Sequence, residues 1–371
     1  MSFILHSGRH NRKNTPVFFR VPAETLPGGA LCIKLQGGQS VPASYRIIDD
    51  EAEICFVAPF LPAGESLAFT LESFDSTPEM TSEKTENGVE IFMRGGKFTE
   101  YCTRTGLAKP YLGPFREAYG GQMTRLDFET REHPHHRSLW ISQEVNGIDF
   151  WNEPAGVHGI VRNQSIDDIV CGGAYTAFTA NNLWTSHGGE AVMNESTRYT
   201  LYNTTRAAAV LDVDITYIAA YGDIELNATK EAGPLAIRMA PALSVDKGGT
   251  GMIVSGTGGI DEKECWMRRA PWLDYCGNLD GRACGVAILD HPGNFGFPTH
   301  WHVRDGGLMA GNNFLRLGAM YLKQGESTGW KYRVVIHNGD TKSADIQGRF
   351  EDYAFPPAVV RSTKSEQNLF A

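Results

Sequence analysis

Apolar and polar residues alternate with a period of two in the clearest segments of the sequence. Residues 210–218, VLDVDITYI, place four apolar side chains on one face of an extended chain and three polar ones on the other, and residues 330–337, WKYRVVIH, repeat the alternation. Since the side chains of a β-strand point alternately to its two faces, this pattern predicts antiparallel strands with one solvated face. AAYGD and a second alternating run, IELNAT, follow at 219–229, which predicts a hairpin.

Helical periodicity is scarce. The best example is SADIQGRFEDY, residues 343–353, which precedes Pro356 and Pro357. The 41 glycines and the many short strands favour an all-β fold, which we expect to be a large antiparallel β-sandwich with few short helices. A polar window at 76–88 divides the chain into an N-terminal β segment, 1–80, packed on a main domain, 88–371, that carries the site.

The charge and hydrophobicity of the chain exclude two classes of partner. A formal net charge of −9 and a pI near 5.7 argue against nucleic acid or an anionic membrane. No stretch approaches the roughly 18 apolar residues of a membrane span, and the N-terminal residues lack the layout of a signal peptide. The seven cysteines form no Cys-x-x-Cys pair, which predicts free thiols and a cytoplasmic location.

One short stretch concentrates titratable side chains. Residues 131–140, REHPHHRSLW, contain three histidines and two arginines: His133, His135, His136, Arg131 and Arg137. Imidazoles at this density can hold a metal, bind a hydroxylated or anionic ligand, or move protons near neutral pH. On an extended chain His133 and His135 would share a face and His136 would take the other. Pro134 favours a loop or a sheet edge, where the same imidazoles could simply bond to backbone and solvent.

A second window, residues 289–307, combines aromatic, basic and imidazole side chains. Its candidates are His300, Trp301, His302 and Arg304. A flat indole stacks on the C–H face of a pyranose while charged groups fix the hydroxyls, so Trp301 suits sugar recognition. On an extended chain its side chain would point away from those of His300 and His302. A satisfied loop rich in Pro, Gly and aromatic residues is the alternative.

Arg238 lies within an apolar run, LAIRMAP, at 235–241. Burying a guanidinium is costly unless it is paired, so we expect Arg238 to meet either a carboxylate in a structural ion pair or a ligand. The other candidates for substrate binding come from neighbouring polar and aromatic windows: Lys230, Tyr275, Trp151 and Glu153.

Two blocks of the sequence resemble a known family. Residues 90–153, with HPHHRSLW and NGIDFW, and residues 227–313, with THWHVRDGG, resemble the family labelled "methane oxygenase PmoA-like". The resemblance implies a soluble β-rich protein similar to the galactose-mutarotase supersandwich, whose relatives accompany sugar dehydrogenases and isomerases in carbohydrate catabolism. The membrane-bound methane enzyme of that name is a different protein. The sequence departs from the family pattern at Glu132 and Gly306.

The preferred hypothesis is a carbohydrate-catabolic enzyme with a small-molecule sugar or oxidised glycoside as its partner. Catalysis would be acid/base chemistry, by elimination, epimerisation or hydrolysis, with His135, His136 and His302 as proton carriers. Arg137, Arg238 and Arg304 would clamp the ligand. His136 is favoured as the base because the charge of the adjacent Arg137 would keep its imidazole neutral.

Two alternatives stay open. A metal-dependent enzyme would take its ligands from His133, His135 and either His300 or His302, so a divalent metal is the one cofactor left open. A sugar-binding protein without chemistry would use the same residues. The sequence gives no oligomeric state.

Overall fold

The computed structural model of the protein describes residues 1–74, 77–126, 132–205 and 207–362. Strands account for 53% of the residues and helices for 7%, which confirms the predicted all-β class. Within the described ranges no helix is long and apolar enough to cross a membrane. The helix predicted at 343–353 forms as Ile346–Ala354, and the Asp345 side chain caps it by accepting a hydrogen bond from the Gly348 amide.

The strands of the first half are, in chain order, β1 (Ser2–His6), β2 (Thr15–Pro22), β3 (Ala30–Leu35), β4 (Ser40–Ile48), β5 (Glu51–Ala58), β6 (Ser66–Phe74), β7 (Met80–Thr85), β8 (Gly88–Met93), β9 (Gly96–Cys102), β10 (Tyr111–Leu112), β11 (Leu139–Ser142), β12 (Glu144–Val145), β13 (Ile148–Asp149), β14 (Ile160–Cys171) and β15 (Tyr175–Thr185). The others are β16 (Ala191–Tyr202), β17 (Ala208–Ile218), β18 (Ile224–Leu226), β19 (Gly233–Arg238), β20 (Met252–Ser255), β21 (Trp272–Leu279), β22 (Arg282–Asp290), β23 (Trp301–Arg304), β24 (Leu308–Gly311), β25 (Met320–Leu322), β26 (Ser327–Asn338) and β27 (Ala358–Arg361). The helices are α1 (Asp261–Cys265), α2 (Phe314–Leu317) and α3 (Ile346–Ala354), with 3-10 turns at Ala23–Thr25 and Pro241–Leu243.

The N-terminal sheet contains, in the described part of the chain, seven strands in the order β2-β5-β4-β3-β6-β1-β27. It has its own apolar core, which includes Ile33 and Phe56. The edge strand β27 pairs antiparallel with β1, with Arg361 opposite Phe3. Residues 358–361 therefore pair with the N-terminal segment although they are far from it in sequence, a partner that the sequence of so short a strand does not specify. The division into two domains is otherwise still a prediction.

Two larger antiparallel sheets pack face to face and form the predicted sandwich. The front sheet has the order β23-β24-β19-β11-β10-β9-β8-β7, and the back sheet has the order β14-β15-β16-β17-β26-β22-β21-β20. Their inner faces share one continuous apolar core, to which the front sheet contributes Ile91 and Ile237 and the back sheet Val213, Ile288 and Val334. The outer face of the front sheet is therefore free to carry polar side chains.

The hairpin predicted at 210–229 does not form. β17 pairs with β16 on one side and with β26 on the other, whereas β18 lies between β12 and β25 in a separate small sheet. Alternation determines which side chains of a strand share a face, but it does not select the neighbouring strand. Both segments are therefore strands, as predicted, with partners that the sequence did not indicate.

A buried ion pair joins the N-terminal segment to the main domain. Arg12, in the loop between β1 and β2, donates to Asp352 of α3 over 3.0 Å, and the Arg12 side chain is 2% exposed. The same carboxylate accepts a hydrogen bond from Thr15, and Arg12 Nε donates to the Ser7 carbonyl over 2.7 Å. Since Ile346 packs α3 on an apolar patch of the back sheet, the ion pair ties one unit to the other.

Replacing Asp352 tests the role of this ion pair. Asp352→Asn leaves the buried Arg12 guanidinium without its counter-charge, so we expect the free energy of unfolding to fall by about 3 kcal/mol. Glu351→Gln removes a more exposed carboxylate from the same helix and should change it by less than about 0.5 kcal/mol. Chemical denaturation of both variants measures the difference, and equal stabilities would contradict the structural role.

Candidate functional site

Four neighbouring strands of the front sheet place one row of side chains on its outer face. Trp140 of β11 lies opposite Ala236 of β19, Ala236 lies opposite Ala310 of β24, and Ala310 lies opposite His302 of β23. The residues next to them in sequence, such as Ile237, point into the sandwich core. The row therefore consists of two small alanines between a tryptophan and a histidine.

A second row, two residues along the same strands, brings two arginines to this face. Arg238 lies opposite Leu308, and Leu308 lies opposite Arg304. Arg238 and His302, which come from distant windows of the sequence, are thus on one surface. The register of the sheet is the cause, because side chains at positions i and i+2 of paired strands share a face.

The histidine-rich stretch folds over these rows as a tight turn. The His136 amide donates to the His133 carbonyl over 3.0 Å, and His133 has a positive φ of 50°. The turn brings three rings together, with centroid distances of 4.4 Å between His135 and His136, 5.1 Å between His133 and His136 and 5.8 Å between His133 and His135. The stretch is therefore a turn, which Pro134 favours, and the extended arrangement with His136 on the opposite face does not form. Arg131 lies outside the described residues.

Trp151 connects this turn to β23. Its ring lies edge-on to His136 at 5.7 Å between centroids and stacks at 6.2 Å on His302. His136 in turn stacks on Trp140 at 4.9 Å. Asp149 holds the segment by accepting a 2.7 Å hydrogen bond from the Trp151 amide, which explains the acid in the NGIDFW motif. We call His133, His135, His136 and His302 the histidine cluster.

Glu153 sits at the centre of a buried charge network beside the cluster. Its carboxylate accepts from Arg137 Nη1 at 2.7 Å and Nη2 at 3.0 Å, and from Lys109 Nζ at 2.7 Å. Burial alone would raise the pKa of Glu153, but the two cations outweigh it and lower the pKa to about 2. Lys109 also donates to the Trp151 carbonyl over 3.0 Å. Through these bonds to Glu153 and to the Trp151 carbonyl, Arg137 and Lys109 support the loop that carries Trp151.

Lys109 is a site residue that we did not predict. It is 2% exposed, and burial lowers its pKa despite the neighbouring Glu153. Its charge is also one cause of the lowered pKa of His135. The available signal was a lysine directly before the apolar residues 110–112, because a buried lysine requires a carboxylate partner.

The contact between Arg238 and His136 determines where the His136 ring proton lies. Arg238 Nη1 is 3.0 Å from His136 Nδ1. A guanidinium only donates hydrogen bonds, so Nδ1 accepts and the neutral ring carries its proton on Nε2. Burial, then His135 and Arg238, hold the pKa of His136 well below its usual value. His136 thus presents an N–H donor, and Arg238, not Arg137, is the arginine that acts on it.

His302 has the opposite arrangement. Burial has the largest effect on its imidazole and lowers the pKa to about 4, while the neighbouring main chain of Lys230 acts in the opposite direction and raises the pKa. Nδ1 is buried without a partner among the described residues. We therefore assign the proton to Nε2, on the side of the Lys230 main chain, and the free lone pair to Nδ1, so that His302 presents an acceptor.

His135 is also neutral near pH 7. Burial, together with the charge of Lys109, lowers its pKa to about 4. Its Nε2 atom is buried and has no partner in the described part of the chain. His133 is about half exposed and has a pKa lowered by burial and by Arg238, so the cluster extends from the protein interior to solvent.

Three predicted residues lie away from the cluster. Trp301 is fully buried in the sandwich core, where Nε1 donates to the Ala270 carbonyl over 2.9 Å. Tyr275 is equally buried, and its hydroxyl donates to the Asp305 carbonyl over 2.6 Å. The His300 ring bonds to Asn313 at 2.9 Å. The proposed stacking face at Trp301 is wrong, because strand alternation points His302 outward and Trp301 inward.

Two further candidates lie at the edge of the face in ion pairs. Arg304 pairs with Glu262 and lies over the Trp266 ring at 5.2 Å. Lys230 Nζ lies 2.7 Å from Glu231, and the Lys230 side chain is half exposed. Each side chain keeps further donors besides the one that its partner occupies, and the binding roles of both are still predictions.

The metal alternative requires three donors that converge on one point. In the ranges that the structure describes, no group of three His, Cys, Asp or Glu side chains has such an arrangement. His133 and His135 lie in the cluster, whereas His300 is bonded to Asn313 outside it. His302 is the remaining donor, and its ring stacks on Trp151.

The lowered pKa values predict a loss of stability in mild acid. Unfolded histidines take up a proton near pH 6.5, whereas folded His135 and His302 do so only near pH 4. Between these values the unfolded state binds more protons, so the free energy of unfolding falls with falling pH, by up to about 1.4 kcal/mol per pH unit and histidine. Denaturation at several pH values between about 7 and 5 measures this slope. The His302→Asn variant should take up about one proton fewer on unfolding, so its free energy of unfolding should depend less steeply on pH. An unchanged slope would contradict the assignment.

Comparison with known proteins gives a family but no activity. No protein of curated function matches the sequence. Among solved structures, the protein is similar to the GH36 alpha-galactosidase AgaA from Geobacillus stearothermophilus, with 13% identity and a TM-score of 0.33, covering 66% of this chain and 40% of that one. An alpha-galactosidase from Lactobacillus brevis gives 11% identity and a TM-score of 0.31, covering 71% and 39%. The chain thus spans about two fifths of the length of either enzyme.

The family model covers the part of the chain that builds the sandwich and the cluster. It matches residues 88–351 and is described as a family of unknown function, DUF6807. The resemblance to the PmoA-like family is not among these matches and is still a prediction. The protein belongs to the family of unknown function DUF6807.

Proposed function

We propose that the protein is a carbohydrate-active enzyme that performs acid/base chemistry on a sugar or oxidised glycoside at the histidine cluster. The observation that carries the proposal is the pair of opposite tautomers: His136 presents an N–H and His302 a lone pair on the same face. Elimination, epimerisation and hydrolysis each require a proton acceptor and a proton or hydrogen-bond donor within one site. Both rings are neutral at pH 7, so both functions are available together.

His302 is the base in this proposal, and His136 is not. Arg238 occupies the lone pair of His136 at Nδ1, so this ring cannot accept a proton there without losing that contact. His302 can accept a proton at Nδ1, and the Lys230 main chain, which raises the pKa of this ring, supports the imidazolium. The earlier preference for His136 as the base is replaced for this reason.

His136 stabilises the oxygen on which negative charge develops. A neutral imidazole with a lowered pKa can act as an electrophilic donor without giving up its proton. Arg238 fixes the tautomer, and stacking on Trp140 fixes the ring plane. His135 and the half-exposed His133 lead from His136 towards solvent, which supports a path for returning a proton.

Variants of the two histidines test these roles. His302→Gln should lower turnover by about 10²- to 10⁴-fold on a reactive glycoside or keto-glycoside, and His136→Ala should do likewise. The exposed His187 lies outside the cluster, so His187→Asn should turn over like the unaltered enzyme. Circular dichroism of each variant verifies folding. Full activity of a folded His302→Gln protein would refute its role as the base.

The pH profile tests the same assignment without a variant. The base must be unprotonated, and the pKa of His302 is about 4, so kcat/KM should stay level from about pH 7 to pH 5 and fall below about pH 4.5. An acid limb near pH 6.5 would contradict a buried, neutral base.

Assays of binding and turnover with a panel of glycosides and their keto derivatives also distinguish this enzyme from a sugar-binding protein and from a metal-dependent enzyme. Ligand binding without turnover of any glycoside or keto derivative would favour a binding protein. Stoichiometric transition metal that is required for turnover would favour the metal-dependent enzyme. All seven cysteines are free thiols, which supports the proposed cytoplasmic location.

A further inference from the structure

We propose that the ligand of this face is an acid, and that Arg238 binds one carboxylate of a sugar acid. The sugar part of this inference rests on the proposed function, whereas the carboxylate part rests on Arg238 and its surroundings alone. Neither the sequence motifs nor the family match specifies the charge of the ligand.

Arg238 is a buried cation without a carboxylate partner. It is 4% exposed, and among the described residues no carboxylate oxygen lies within ion-pair distance of it. Its side-chain hydrogen bond goes to a neutral imidazole, that of His136. Glu132 and Asp246 act on its charge from a distance, and Glu132 is itself paired with Lys247. Because an uncompensated buried charge is strongly destabilising, a bound anion is the expected counter-charge.

The unpaired polar atoms around Arg238 are mostly donors. Arg238 Nε, His136 Nε2, Trp140 Nε1 and Trp151 Nε1 are all buried without a partner in the described part of the chain. The nearby acceptors that are also buried without a partner in this part of the chain are His302 Nδ1 and Asp246 Oδ1, and His135 Nε2 donates or accepts according to its tautomer. A carboxylate only accepts hydrogen bonds, whereas a hydroxyl accepts and donates, so an excess of donors around a cation favours a carboxylate.

The space and the charge both fit a small anion. A Cβ atom built on Gly306 would lie 3.4 Å from Arg238 Nη2 and 3.7 Å from Asp246 Oδ2, so glycine leaves the space between this guanidinium and this carboxylate open. One uncompensated guanidinium matches one negative charge, which a carboxylate supplies. A phosphate dianion would bring a second negative charge that Arg238 alone does not neutralise.

Calorimetric titration with matched ligands tests the inference on the unaltered protein. The pairs are galactose with galacturonate and glucose with glucuronate, together with glucose 6-phosphate and cyclohexanecarboxylate. We expect each sugar acid to bind about tenfold to a hundredfold more tightly than its neutral parent, the range of a hydrogen bond to a charged group. Equal or weaker binding of the acids, or no binding of any acid, would overturn the inference.

The remaining ligands separate the two proposals. Tighter binding of glucose 6-phosphate than of either uronate would overturn the carboxylate assignment. Binding of cyclohexanecarboxylate as tight as that of the uronates would keep the carboxylate site and refute the sugar function. Binding of neutral sugars at least as tight as that of the acids would refute the carboxylate site and leave the proposed function intact.

Variants of Arg238 then assign the preference to this residue. Arg238→Gln should remove the preference for acids, and Arg238→Lys should keep part of it because the charge remains. Lys323→Gln removes one positive charge from a surface ion pair with Asp223 and should leave the preference unchanged. If Arg238→Gln fails to fold, Arg238→Lys is compared with the unaltered protein. If both prefer acids to the same degree, and if the salt dependence of acid binding to Arg238→Lys equals that of Lys323→Gln, the anion binds elsewhere.

Discussion

The register of four antiparallel strands decides which functional side chains of this protein meet. β11, β19, β24 and β23 are held by backbone hydrogen bonds, and a slip of one residue in any of them would exchange its outer and inner side chains. His302 would then enter the apolar core and Trp301 would leave it. Such a slip is costly because it would remove apolar side chains from the core. The core therefore keeps the imidazole of His302 on the outer face.

The charge balance on the outer face of the front sheet is set by buried cations that have too few carboxylate partners. Glu153 has two cations as direct partners, whereas the described carboxylates leave Arg238 unpaired, so the region carries positive potential within a chain of net charge −9. Burial keeps His135, His136 and His302 unprotonated at neutral pH, and neighbouring cations add to this effect at His135 and His136. The same two causes therefore set the protonation state of the cluster and the charge of the ligand that it favours.

The fold class and part of the candidate site could be predicted because both depend on local patterns. Alternation identified strands, and the same rule placed His302 and Trp301 on opposite faces. The partner of β17, the return of β27 and the position of Lys109 depend on contacts between residues far apart in sequence, for which a local pattern carries no signal. The tautomer of His136 required the position of Arg238, about a hundred residues away.

The pairing of β27 with β1 has a consequence for synthesis on the ribosome. The strand that covers this edge of the N-terminal sheet is the last one in the described chain, so β1 exposes unpaired backbone donors and acceptors until β27 has been synthesised. Unpaired strand edges promote association between nascent chains. The sheet that contains β1–β6 is thus completed only after β26 has been made, and its open edge can pair with another chain until then.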